Sequence, residues 1–150
     1  MKIGFPVPEF TLPDQDGVMH SLSDYIGKKI VLFFYPKDNT PGCTQEACSF
    51  RDSFRDLLDQ GVQVLSISKD GVSSKKRFSQ KYNLPYPLLA DLDKKVCELY
   101  GVLKEKSMFG KSYLGIQRDT FLIDEQGKLL KHYTNVKPEL HVAQILQDIK

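Results

Sequence analysis

The segment KIVLFFY at Lys29–Tyr35 is apolar after its first residue and shows no polar alternation. A strand of this kind is buried on both faces, so it sits inside a sheet with helices packed over each side. Pro36 ends it. From Pro41 to Gln60 the pattern changes to a helical one. Ala47, Phe50, Phe54, Leu57 and Leu58 share one face, with Arg51, Asp52, Arg55 and Asp56 on the solvated side. Gly61 is a natural stop, and Val62–Ser68 (VQVLSIS) alternates as a strand. Strand, helix and strand in this order make a right-handed parallel crossover.

The flanking segments extend the same architecture. Phe10–Leu22 reads as a hairpin turning at Asp16-Gly17. Ser73–Tyr82 is expected as a second helix, Pro87–Ala90 as a short strand and Asp93–Tyr100 as a third helix. Lys104–Gly115 reads as a surface loop carrying Met108, Phe109 and Tyr113. Gln117–Asp124 and Lys128–Thr134 form a hairpin around Glu125-Gln126-Gly127. Pro138–Ile149 is a last amphipathic helix, with Leu140, Ala143, Ile145 and Leu146 available for burial. The expected class is α/β, a mixed sheet with helices on both faces. The 150 residues suit one domain over positions 1–150.

Composition narrows the function classes. Hydrophobic residues make up 41% and charged residues 27%, so the chain has a core and is not disordered. Its longest apolar run is far shorter than a bilayer span. The net charge is only +2 with lysines spread along the chain, which does not favour nucleic-acid binding. The N-terminus, MKIGFPVPEF, has no signal-peptide pattern, and the expected compartment is the cytoplasm.

Three cysteines are too few for a disulfide scaffold, and no metal-ligand spacing accompanies them. Two lie in PKDNTPGCTQEAC, at Cys43 and Cys48. Thr40 can cap the helix and Pro41 suits its first position, which puts Cys43 in the first turn. There, free N–H groups and the positive end of the helix dipole favour a thiolate. Loops at the carboxyl end of a buried strand are where α/β folds place chemistry. Ideal helix geometry sets α-carbons five residues apart at roughly 8.5–9 Å, whereas a disulfide needs less than about 7 Å. A Cys43–Cys48 bridge therefore requires the first turns to unwind. Cys97, in KKVCELYG, reads as a core thiol. Arg118, beside Asp119, reads equally well as a surface ion pair or as a functional cation.

At PKDNTPGC the chain resembles the peroxiredoxins, thiol peroxidases with the pattern Pro-x-x-x-Thr-x-x-Cys, met here by Pro36, Thr40 and Cys43. Cys48 resembles the resolving cysteine of the bacterioferritin comigratory protein (PrxQ) subfamily. PVPEFTLPDQDG and RDTFLIDEQGK extend the similarity over nearly the whole chain. The resemblance implies a thioredoxin-like fold with an N-terminal extension. It implies that Arg118 reaches the thiolate and the peroxide, and that Glu46 helps hold the arginine. The implied cycle takes Cys43 to a sulfenic acid, then to a Cys43–Cys48 disulfide reduced by thioredoxin or a glutaredoxin-like dithiol, in a monomer without cofactor or metal. Two other readings stand beside it. A thioredoxin-type oxidoreductase would normally need Cys-x-x-Cys, which is absent. A non-enzymatic redox-sensing module would use the cysteine pair as a switch.

Overall fold

The computed structural model describes residues 1–149. Its centre is a five-stranded sheet built from β3 (Lys29–Phe34), β4 (Val62–Ser68), β5 (Leu88–Ala90), β8 (Thr120–Ile123) and β9 (Leu129–Tyr133), in the order β5-β4-β3-β8-β9. The apolar run forms the middle strand. It pairs parallel with β4, Val31 opposite Val64, and antiparallel with β8, Val31 opposite Leu122. β4 and β5 are parallel, while β8 and β9 form the expected hairpin. This is the thioredoxin-like arrangement. The N-terminal extension is a small hairpin, β1 (Thr11–Pro13) with β2 (Met19–Ser21).

Alternation along β3 divides the core. Val31, Phe33 and Tyr35 face α1 (Pro41–Asp59), where they join Cys43, Ala47, Phe50 and Leu57, with Val142 and Ile145 of α4 (His141–Asp148). Ile30, Leu32 and Phe34 face the other way, toward Val7, Phe10 and Leu22 and toward Val96 and Cys97 of α3 (Lys95–Leu99). Helix α2 (Val72–Tyr82) contributes Phe78 to the first cluster. Each cluster buries more than a dozen side chains, so neither face of the sheet is left to solvent.

Four expectations require correction. Lys104–Gly115 is not a loop. β6 (Leu103–Met108) and β7 (Lys111–Ile116) form an antiparallel hairpin with Phe109, 96% exposed, at its tip. The third helix spans only Lys95–Leu99. Lys94 adopts a left-handed conformation just before it, and the Asp91 carboxylate accepts the N–H groups of Val96 and Cys97. The last helix begins at His141. Ile145 is buried and Leu146 packs against the core as expected, but Leu140 and Ala143 are exposed, and His141 and Val142 are buried in their place. The polar face of α1 is not wholly solvated, because Arg51 Nη1 donates to the Tyr82 carbonyl at 2.8 Å and ties α1 to the end of α2.

Candidate active site

The site forms where β3 gives way to α1. Pro36 is half-buried, and Asn39 takes a left-handed conformation (φ 61°) that turns the chain into the helix. Thr40 is the N-cap and Pro41 the first helical residue, as expected. The Thr40 hydroxyl, however, does not accept a helical N–H. It donates to the Lys37 carbonyl at 2.9 Å. A hydroxyl whose single proton is committed in this way presents only its lone pairs to the space beside it. The helical ladder begins with Thr44 N–H on the Thr40 carbonyl.

Cys43 lies in the first turn and is 2% exposed. Arg118 reaches it from 75 residues away. Its Nη2 donates to Cys43 Sγ at 3.3 Å, and its Nη1 donates to Glu46 Oε1 at 3.0 Å. The planar guanidinium thus bridges two groups one helical turn apart on α1 through two separate nitrogens of a rigid fork, whereas a lysine carries all its donors on one atom. Burial lowers the proton affinity of Arg118, but the facing Glu46 and Cys43 outweigh it, and its pKa is raised. Glu46 is fully buried and only one of its oxygens is partnered. Desolvation pushes its carboxyl up to about 7 against the pull of Arg118.

Space is tight around the guanidinium. A Cβ added to Gly42 would lie 3.1 Å from Arg118 Nη2 and 3.8 Å from Pro138 Cγ. The absence of a side chain at Gly42 lets the arginine lie against the helix mouth. Asp119 does not pair with Arg118. Its carboxylate accepts from Gln117 Nε2 and from the Asn135 N–H, and it contacts His132 Nε2. It thereby shapes the turn from which Arg118 projects, and it leaves the arginine free for Cys43.

The other cysteines differ sharply from Cys43. Cys48 is half-buried on the same intact helix, and all three thiols are free. Cys97 is fully buried in the opposite core cluster, across the sheet from Cys43. Burial, aided by Asp91, pushes its thiol far up and keeps it protonated.

Sequence reasoning placed Pro36, Thr40, Cys43, Glu46 and Cys48 in one loop and helix, and the structure brings Arg118 to Cys43 and Glu46. It missed the close approach of Gly42 to Arg118 and offered Asp119 as an ion-pair neighbour of Arg118, which it is not. It also missed a buried polar cluster of Asp38, Ser68 and Lys75 beneath the loop. The signal for that cluster is weak, a lysine at a helix position whose neighbours are polar.

A nearly buried thiol at a helix mouth under an arginine, on a thioredoxin-like sheet, is the arrangement of a thiol-dependent redox enzyme. The AhpC/TSA family model matches residues 3–132, and the chain belongs to that family. It is 53% identical over 146 residues to the putative peroxiredoxin bcp of Coxiella burnetii, covering 97% of both chains. It is 46% identical over 150 residues to peroxiredoxin Bcp of Bacillus subtilis, covering 100% of this chain and 96% of that one. The bacterioferritin comigratory protein of Xanthomonas campestris, solved as trapped intermediate and ligand complexes that bear on its alkyl peroxide reduction, superposes with a TM-score of 0.92. It is 33% identical, with 99% of this chain and 97% of that one covered. These likenesses set the chain among the peroxiredoxins of the Bcp/PrxQ group, which are thiol-dependent peroxidases.

Proposed function

We propose that Cys43 is the peroxidatic cysteine, Cys48 the resolving cysteine, and Pro36, Thr40, Arg118 and Glu46 the groups that make the first step fast. The observation that carries this reading is the 3.3 Å contact of Arg118 Nη2 with the Sγ of Cys43, a thiol that is only 2% exposed. The Cys43 thiolate attacks one oxygen of a hydroperoxide. An S–O bond forms, the O–O bond breaks, and the distal oxygen leaves as hydroxide or alkoxide that takes a proton from solvent. Negative charge passes from sulfur to the leaving oxygen, and Arg118 with the first-turn N–H of Cys43 is preset to stabilise it. Thr40 accepts the peroxide O–H and aligns the O–O bond with the sulfur. Pro36 shields the thiolate from water.

The product is a sulfenic acid on Cys43. Cys48 attacks its sulfur, water leaves, and a disulfide forms. The two residues cannot bridge within a regular helix, so the first turns of α1 unwind. The helical ladder begins only with Thr44 N–H on the Thr40 carbonyl, so few helical bonds lie upstream of Cys43, which lowers the cost of that opening. Thioredoxin or a glutaredoxin-like dithiol then reduces the disulfide. We further read the chain as one peroxiredoxin domain over residues 1–150, acting as a monomer in the cytoplasm on hydrogen peroxide and organic hydroperoxides. Among the described residues no helix is long and apolar enough to cross a membrane.

Peroxide consumption by Cys43→Ser in the presence of a reducing dithiol tests the assignment. Loss of turnover is expected, and substantial remaining turnover overturns it.

A further inference from the structure

Beneath the active-site loop lies a polar cluster that the reaction itself does not use. Asp38 is buried, and its carboxylate accepts from Tyr35 Oη at 2.5 Å, from Ser74 Oγ at 2.8 Å and from Lys75 Nζ at 3.3 Å. Lys75 is 0% exposed and also donates to Tyr35 Oη at 3.0 Å and to Ser68 Oγ at 2.5 Å. Ser68 in turn donates to Asp70 Oδ2 at 2.9 Å. The same Asp70 oxygen accepts the backbone N–H of Asp38 at 2.8 Å.

That N–H belongs to the same planar peptide unit as the Lys37 carbonyl, and in a trans unit the two point in opposite directions. The Lys37 carbonyl is the acceptor of the Thr40 hydroxyl proton. Holding the N–H end on Asp70 therefore sets the carbonyl end. The carbonyl sets the direction of the Thr40 proton, and so the direction of the lone pairs left for a substrate.

A buried Lys–Asp pair is a poor device for stability alone, since well-packed apolar residues of similar volume serve as well or better. What such a pair supplies here is one defined conformation for a loop that also carries a left-handed Asn39. We propose that Asp70 is a positioning residue for peroxide reduction, acting through the Lys37–Asp38 peptide to hold the Thr40 hydroxyl as a hydrogen-bond acceptor, with the buried Asp38–Lys75 pair as the anchor of that peptide. The inference rests on the reading of Cys43 as the attacking thiolate and Thr40 as the group that orients the peroxide.

The test compares two reagents at Cys43. Hydrogen peroxide needs an oriented O–O bond, whereas iodoacetamide needs only the thiolate. Asp70→Ala is expected to lower the second-order rate of Cys43 oxidation about tenfold while the alkylation rate stays nearly unchanged. Asp70→Asn, which keeps an oxygen acceptor, is expected to recover most of the peroxide rate. Ser74→Ala, a half-buried and mild change that removes one donor to Asp38, is expected to shift the peroxide rate in the same direction by less. Unchanged oxidation in Asp70→Ala, equal slowing with both reagents, or no recovery in Asp70→Asn overturns the inference. If Asp70→Ala does not fold, an unchanged peroxide rate in Ser74→Ala overturns it. Absence of peroxide consumption by the unsubstituted protein contradicts the proposed function instead, and the inference falls with it.

Discussion

Arg118 Nη2 stands 3.3 Å from Cys43 Sγ while Nη1 of the same guanidinium stands 3.0 Å from Glu46 Oε1. One side chain from the end of the sheet thus spans two positions of a helix it does not belong to. The carboxylate of Glu46 aims the fork, and the sulfur receives its second donor.

Arg118→Lys keeps the charge and loses the fork. An ammonium carries its donors on one atom and does not reproduce the two separated, fixed N–H contacts, so the rate of Cys43 oxidation is expected to fall roughly 10²-fold. Stopped-flow oxidation with hydrogen peroxide checks this, and the melting temperature serves as a control for folding.

Gly42→Ala is expected to slow the same step by about 3- to 10-fold. The new methyl would sit 3.1 Å from Arg118 Nη2. The guanidinium must then shift by a few tenths of an ångström, which disturbs its 3.3 Å contact with the sulfur. Oxidation kinetics of the variant, compared with Gly42→Ser as a second substitution at the same atom, provide the check.

Glu46 gives stability a distinct pH dependence. Its folded pKa, about 7, lies above the ordinary 4.5 because burial disfavours the carboxylate. The folded state therefore holds the proton more tightly than the unfolded chain. The resulting contribution is fully present below 4.5 and is lost as pH rises through about 7, about 3 kcal/mol in all. Subtracting the denaturant-unfolding profile of Glu46→Gln from that of the unsubstituted protein isolates this slope.

His141 acts in the opposite sense. It is buried between Phe50 and Tyr133 with Nε2 paired to the Thr120 hydroxyl at 2.7 Å, and burial lowers its pKa from 6.5 to about 4. The folded state resists its protonation. Its contribution is present above 6.5 and is lost as pH falls through about 4, again about 3 kcal/mol. His141→Leu is expected to remove that acid limb from unfolding curves measured between pH 4 and 7.

Much of this molecule was legible because its signals are local. β3 declares itself in six consecutive residues, and α1 with its Pro41 start lies in one amphipathic run. The β6–β7 hairpin was hidden because its turn is Phe109-Gly110. Both residues have positive φ, 54° and 77°, a conformation usually announced by Asn-Gly rather than by an aromatic residue. The last helix packs Ile145 and Leu146 as its pattern suggests, but its first turn differs, because His141 and Val142 are buried there and not Leu140 and Ala143. The bridge from Arg118 to Cys43 and Glu46 spans more than 70 residues, and no periodicity reports such a distance. It was legible only through the likeness of QRDTFLID to a known motif. The Asp38–Lys75 anchor had neither a local pattern nor a motif, so only the folded chain reveals it.

Cys43 is proposed to reduce the peroxide and Cys48 to resolve the sulfenic acid that results. The most direct test adds one equivalent of hydrogen peroxide to the fully reduced protein, followed by non-reducing peptide mapping by mass spectrometry. A Cys43–Cys48 disulfide with Cys97 still a free thiol is the expected product. Unmodified Cys43, or a disulfide that joins Cys43 to Cys97 across the sheet, would contradict it.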